Sequence, residues 1–586
     1  MRGARAVVSF WLTGLLGCSA GTSPSPGGAA SDAGAGGDGS SDVVVVDARA
    51  DAAPPDVSFA LPDAAPPPDF APPPVALPLP PGVPPPRRLL QGEDRMAGEG
   101  QSACSEPATP TADRFCVFYR AGAAPGATEL WVINLSKAAA GKVPACDGSS
   151  PDCVRLTSTL WTGAPVGGPS HPYSHQFSGD TLFFYADSAA GPLQLYHGPV
   201  YAWRPGWPSP RSVTSPAGLM CFGHPRVPVA FCLDALSGDA MMPDSFELRV
   251  GSLAEIPAGP LPSLGRFRVL RAGGARGWQA GFSPDGRTFA ISSPDPDPSI
   301  EVLRAVPVAG VGSQAPTEVL HGATNWAISN DGKRIYYMRE DAPDQLGLYA
   351  ADFPAGTGEI KLGGRTEYYE LRGEGATDEG VAFITSLGPD YGAFRFIRDS
   401  HMPEAFVTVF SYHDLLEGVH TSADLRYTAW VDYAFRARVV RNADRSSCLL
   451  NTYGGLGAYE PQMLGSAGLV FWSEDTPGND GRRDAFFGRP DDCTGTQRFA
   501  TAIAYYAPLG DRGVVYTDES DAVQSATLKY AVARKTGAAW GLDTPVRVHG
   551  GLDEGFFTLL GSPPTFVLFR TSGPEAGTWV FGPLPL

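Results

Sequence analysis

Residues 282–292 read FSPDGRTFAIS, and 46 positions later residues 328–338 read ISNDGKRIYYM. Each phrase sets Asp-Gly immediately before a short apolar run. Such a pair is either a ligand loop or a turn, and recurrence decides between them. Gly accepts positive φ, and Asp bonds to its own backbone in tight turns. Asp-Gly between alternating apolar runs is also a strong hairpin signal. Related turns stand at Ser178 to Asp180, Ser422 to Asp424, Gly465 to Gly468 and Gly510 to Gly513. Asp285 and Gly286 are therefore expected to shape backbone and to carry no chemistry.

Working outward, ten apolar phrases follow such turns. They begin at Phe115, Leu182, Pro228, Phe289, Ile335, Val381, Tyr427, Leu469, Val514 and Phe566. Their spacing clusters near 46 residues, with longer gaps of 67 and 61. Acidic positions come two to six residues past several phrases, at Asp187, Asp295, Asp341, Asp475 and Asp518. A second strand phrase follows, usually aromatic, as at Leu130-Trp131 and Leu348-Tyr349. A unit of this length with three or four strands has the size of a propeller blade. One blade cannot bury both of its faces, so neighbours must stack. The fold class expected is all-β, a β-propeller after a disordered Pro/Ala/Gly-rich tether. Ten repeat-like units are counted where propellers typically have four to eight blades. One ring of seven or eight blades with extra strands is expected, with one larger ring or two smaller rings as alternatives.

The phrases at 282–292 and 328–351 resemble the WD40-like repeats of the TolB family and of dipeptidyl-peptidase propellers. The resemblance runs loosely through residues 112–586 and implies a propeller. It implies little about function, since propellers host many activities. The helical N-terminal domain of TolB has no counterpart here.

The first residues carry Arg2 and Arg5, then the apolar run 7–16, then Gly17 and Cys18. This is the layout of a secretory signal peptide, with an apolar run too short to span a bilayer. Residues 15–18, Leu-Leu-Gly-Cys, resemble the bacterial lipobox. The resemblance implies cleavage before Cys18, lipidation of Cys18 and, with Ser19 next, an outer-membrane address. Residues 51–90 hold 15 prolines and offer little to bury. The expected division is a signal peptide at 1–17, a lipidated Cys and disordered Pro-rich linker at 18–100, and a propeller at 101–586.

Nine cysteines are present. Without Cys18 eight remain, an even number that suits disulfides in an exported protein. Neighbour pairing suggests Cys104–Cys116, Cys146–Cys153 and Cys221–Cys232. Cys448 and Cys493 then remain, 45 residues apart, to bridge adjacent blades.

No G-x-S-x-G elbow, phosphate loop or H-E-x-x-H motif is present. His171 and His175 are four apart, but Pro172 interrupts any helix that would align them. The oxygen-rich stretch 475–484 makes Asp475, Asp480 and Asp484 a weak calcium candidate, although its spacing is not that of an EF-hand. No catalytic residue, cofactor or firm metal site is expected. The net charge of −18 gives no basic footprint for nucleic acid. The preferred expectation is a monomeric, membrane-tethered binding or scaffold module whose propeller face takes a protein, peptide or glycan. The alternatives are a hydrolase or lyase with its site at the central channel, and TolB-like envelope maintenance.

Overall fold

The computed structural model describes residues 72–584, apart from loops of which the longest are 161–174, 186–198 and 269–278; for the strands between 367 and 419 it gives backbone only. Nearly all regular structure is strand. Among the described residues the one α-helix is Leu135–Ala139.

The Asp-Gly phrases form the turns expected of them. In residues 283–288 the Ser283 hydroxyl donates to Asp285 Oδ1 (2.6 Å), which also accepts the Arg287 N–H (3.0 Å). Ser283 Oγ accepts the Thr288 N–H at 3.0 Å. The second turn repeats this set: Ser329 Oγ to Asp331 (2.6 Å), Lys333 N–H to Asp331 (3.0 Å), and Arg334 N–H to Ser329 Oγ (2.9 Å). The Ser283 hydroxyl and the Arg287 N–H hold the Asp285 carboxyl below its ordinary value. Gly286 and Gly332 have φ of 70° and 74°.

Each of the ten phrases is the second strand of its own four-stranded antiparallel unit. Eight units are separate sheets, spanning 95–160, 175–212, 218–268, 279–321, 324–363, 366–410, 417–449 and 458–500 in chain order. We number them units 1 to 8. The remaining strands form one eight-stranded sheet through Val546–Leu560. The first part of this long strand pairs with Ala526–Thr536, its last part with Phe566–Thr571, and a register shift between Leu552 and Phe557 separates the two. Unit 9 thus spans 503–552 and unit 10 begins at Phe557. The ten units thus lie in nine sheets, units 9 and 10 sharing one. No phrase is spare, because every one heads a hairpin with its own third strand.

Strand periodicity then couples the units. In Phe115–Ala121 successive side chains point to opposite faces. Phe115 and Val117 enter a core shared with Leu182, Phe184 and Trp203 of unit 2. Cys116 and Phe118 enter another, shared with Leu560, Phe566 and Val580 of unit 10. The same division joins units 2 and 3, 3 and 4, 4 and 5, 7 and 8, 8 and 9, and 9 and 10.

The fourth strand of unit 10 comes from the other end of the chain. Arg87–Gln91 pairs antiparallel with Gly577–Phe581, and Leu89 and Leu90 are buried in the core between units 10 and 1. Before it, residues 72–86 run along the edge of unit 9, where Leu77 N–H donates to the Pro545 carbonyl and Arg547 N–H to the Leu77 carbonyl, both at 2.7 Å. Pro73, Ala76 and Leu79 are half-buried with exposed residues between them, the three-residue period of polyproline II. This corrects the boundary at Gln101: part of the segment read as linker belongs to the sheets. A Pro-rich sequence is unable to form a core of its own, but it can lie on one already made.

Two outcomes follow. A protein starting at Gln101 loses the burial of Leu89 and Leu90, about 3–6 kcal/mol, and should unfold well below one starting at residue 72 in calorimetry. Gly286→Val demands a left-handed backbone from a β-branched residue, with its Cβ 3.1 Å from Val227 Cβ. It should cost about 2 kcal/mol or more, whereas Asp285→Asn should stay within about 0.5 kcal/mol, both read from denaturant midpoints.

Candidate functional site

The polar side chains of the units gather at the two ends of the seams between sheets. At the end bearing the first hairpin turns, neighbouring turns stack. A Cβ on Gly179 would lie 2.3 Å from the Pro225 carbonyl oxygen, and one on Gly332 would lie 3.7 Å from Pro284. His224 ties units 3 and 4 together here. Its Nδ1 accepts the N–H groups of Arg226 and Val227, both at 3.0 Å. The ring also makes backbone hydrogen bonds to Pro284 and Ser283 of unit 4. Burial lowers its pKa from the ordinary histidine value; Arg226 adds to this, while Asp285 opposes it. Near the seam of units 1 and 2, burial raises the Asp180 carboxyl against the pull of Arg204 and Arg114.

At the opposite end one register position recurs. It faces the second apolar side chain that each second strand sends toward the preceding unit. In units 1, 2, 5 and 8 it holds an aromatic ring, giving the stacked pairs Phe118–Trp131, Phe184–Tyr201, Tyr337–Tyr349 and Trp472–Phe486, with centroids 5.7–6.3 Å apart. In units 3, 4 and 9 it holds a cation, in the pairs Cys232–Arg249, Ile291–Arg304 and Tyr516–Lys529. Each cation reaches a polar group two residues further along the second strand. Arg249 Nε meets Asp234 at 2.6 Å, Arg304 Nη1 meets Ser293 Oγ at 3.1 Å, and Lys529 Nζ meets both Asp518 oxygens at 2.9 and 3.1 Å. Lys529 and Asp518 are almost wholly buried. The position was visible in sequence as the residue after a third-strand leucine (Leu130-Trp131, Leu348-Tyr349, Leu248-Arg249, Leu303-Arg304, Leu528-Lys529). Reading only the aromatic members missed the cations.

The weak calcium set divides. Asp484 is buried and accepts from Thr476 Oγ1 (3.1 Å) and Arg498 Nη1 (3.0 Å). Asp475 lies 3.6 Å from Arg483 Nε and accepts the Tyr459 hydroxyl. Asp480 lies outside the described residues. Glu474, directly across from Asp484, accepts the Trp472 indole N–H at 2.7 Å. Among the described residues no group of three or more His, Cys, Asp or Glu is placed to hold a metal ion. Asp341 accepts the Tyr349 hydroxyl and pairs with Lys361 at 2.7 Å. Asp187 and Asp295 lie outside the described residues.

His175, at the start of an inner strand, is buried with its Nδ1 2.7 Å from the Tyr119 hydroxyl. Gln279, similarly placed in unit 4, bridges to unit 5 through Trp326 O and N at 2.6 and 2.8 Å. His171, His401, His413 and Cys18 lie outside the described residues. The sulfurs of Cys104–Cys116, Cys146–Cys153 and Cys221–Cys232 are 2.06, 1.94 and 2.02 Å apart. Cys448 is also disulfide-bonded; its expected partner, Cys493, lies outside the described residues. Chemically, Asp234, Asp341, Asp475, Asp484 and Asp518 are each held by a cation of their own sheet.

No family model matches the chain, and no curated protein matches it. Among solved structures, a eukaryotic initiation factor is 9% identical with a TM-score of 0.42, covering 77% of this chain and 98% of that one. The β-propeller domain of the trilobed protease from Pyrococcus furiosus is 8% identical with a TM-score of 0.26, covering 54% and 95%. Oligogalacturonate lyase in complex with manganese is 11% identical with a TM-score of 0.25, covering 52% and 73%. Likenesses this distant leave the fold to be argued from the sheets themselves.

Lys529→Met should cost about 3–5 kcal/mol by stranding a buried carboxylate, and pairing it with Asp518→Leu should recover most of the loss; thermal unfolding of both variants checks this. For His224, the unfolded chain binds more protons near the ordinary histidine pKa of about 6.5. Its contribution is therefore complete above that pH and declines as the pH falls through it. His224→Gln should flatten the pH dependence of the urea midpoint between about pH 7.5 and pH 5.

Proposed function

We propose that this chain is an exported, lipid-anchored β-propeller with ten blades in one ring, serving as a binding or scaffold module of the bacterial cell envelope. The pairing of Arg87–Gln91 with Gly577–Phe581 carries the reading. It returns the tenth unit to the start of the chain, as ring closure requires. The cores shared by consecutive units support the same arrangement. The segment 72–86, lying along the edge of unit 9, takes the tether out at the rim. Both ends of the ring are then left to a protein, peptide or glycan partner. The three cysteine pairs fit an oxidising compartment. Lipidation at Cys18 with a second acyl group gives stable anchoring where one chain is marginal.

Residues 19–586, made without the signal, should capture a partner from a native envelope extract. Recovering none while finding hydrolysis or elimination across a substrate panel would transfer the assignment to a channel-site hydrolase or lyase. In cells, Cys18→Ser should abolish radiolabelled palmitate incorporation and release the protein from the membrane fraction. Label retained in that variant would end the anchoring proposal.

A further inference from the structure

Arg334 opens the second strand of unit 5, directly after the Ser-Asn-Asp-Gly turn. Its backbone N–H is fixed on Ser329 Oγ at 2.9 Å. It shares a strand face with Tyr336 and Met338, whose core is separate from the one that Ile335 and Tyr337 share with unit 4. The side chain therefore lies on the face turned away from unit 4. Its side-chain exposure is 9%, and its Nη1 donates to Asp352 Oδ1 at 3.1 Å. Asp352 itself is half exposed. Among the described residues nothing accepts from the other edge of the guanidinium: Nε and Nη2 are both buried and unpaired. Among the described residues no other side chain carries two such atoms.

These two donors are neighbours. The N–H bonds of Nε and Nη2 point the same way along one edge of the planar group, the side-on fork that receives two oxygens of a carboxylate or phosphate. An arginine keeps its charge in a protein, so it cannot escape burial by losing a proton. Charged donors buried without acceptors are costly. A half-exposed aspartate on the far edge meets only part of that need. From this geometry we infer that Arg334 anchors a binding site for a small oxyanion, a carboxylate or phosphate group, at the turn end of unit 5. The ligand places two oxygens on Nε and Nη2 while Asp352 holds Nη1. Lys333, next in the chain and 81% exposed, lies 4.0 Å from the Asp331 carboxylate, which offsets its charge.

The test uses the purified full-length protein, titrated separately with sodium acetate and with inorganic phosphate at constant ionic strength set by sodium chloride. Binding is read by calorimetry at a temperature where every variant is folded, and by the arginine Nε–H resonances. The expected result is saturable binding of at least one anion with a shift of a single arginine Nε–H signal. Arg334→Lys keeps the charge on Asp352 but has no fork, and should weaken binding by about tenfold or more. Lys333→Gln, which removes an exposed charge beside the fork, should leave the single-arginine shift in place. Saturation with acetate but not phosphate identifies a planar carboxylate ligand, and the reverse a phosphate. No saturable binding of either anion means that the fork is met by a group of the chain or by water, and overturns the proposal. Equal binding by Arg334→Lys and the parent reduces the effect to an adventitious ion only, and overturns it as well.

Discussion

Among the described residues, the side chains of a unit's second strand are divided, alternately, between two cores. Phe115 and Val117 belong to the seam with unit 2, Cys116 and Phe118 to the seam with unit 10. A sheet made this way has two apolar faces and cannot stand in water alone. Each unit is therefore stable only between neighbours, and the array has no natural end. That is why the N-terminal strand Arg87–Gln91 matters so much: it completes the sheet that would otherwise be last, and its Leu89 and Leu90 fill the seam with the first.

Above the apolar layer the units solve one problem in two ways. The register position opposite the second core residue is either an aromatic ring that extends the core or a cation that ends it. Where Trp131, Tyr201, Tyr349 and Phe486 stack, apolar burial continues. Where Arg249 and Lys529 stand, a carboxylate is drawn inside with them. Such a pair adds little net stability compared with a hydrophobic substitute, but it is severe on any wrong pairing, because losing one partner strands the other. Both pairs join the second and third strands of one sheet, so what they discriminate against is a slipped register within that unit.

Much of this was legible because the second strands are buried on both faces and so read as short apolar phrases. All ten proved to be strands of separate units. The strand Arg87–Gln91 was hidden for a physical reason: RRLLQ has only two apolar residues, and it follows a proline tract whose composition says disorder. His224 was unreadable because its partners, Arg226, Val227, Ser283 and Pro284, are set by the stacking of two turns. Arg334 was hidden in plain view beside Asp331-Gly332, where a cation reads as a solvated turn residue until its burial is known.

The closing strand also sets a clock. Arg87–Gln91 is made well before its partner Gly577–Phe581, with the strands of nine units between them. It is a contact of extreme sequence distance, with a correspondingly large entropic cost of closure. Until Gly577–Phe581 arrives, the core face of unit 1 and the strand Arg87–Gln91 lack their cover. Exposed apolar faces and unpaired edges are what chaperones bind and what aggregates form from. A protein built so is committed to a long period of incomplete assembly, during which its earliest strand must be kept from pairing with anything else.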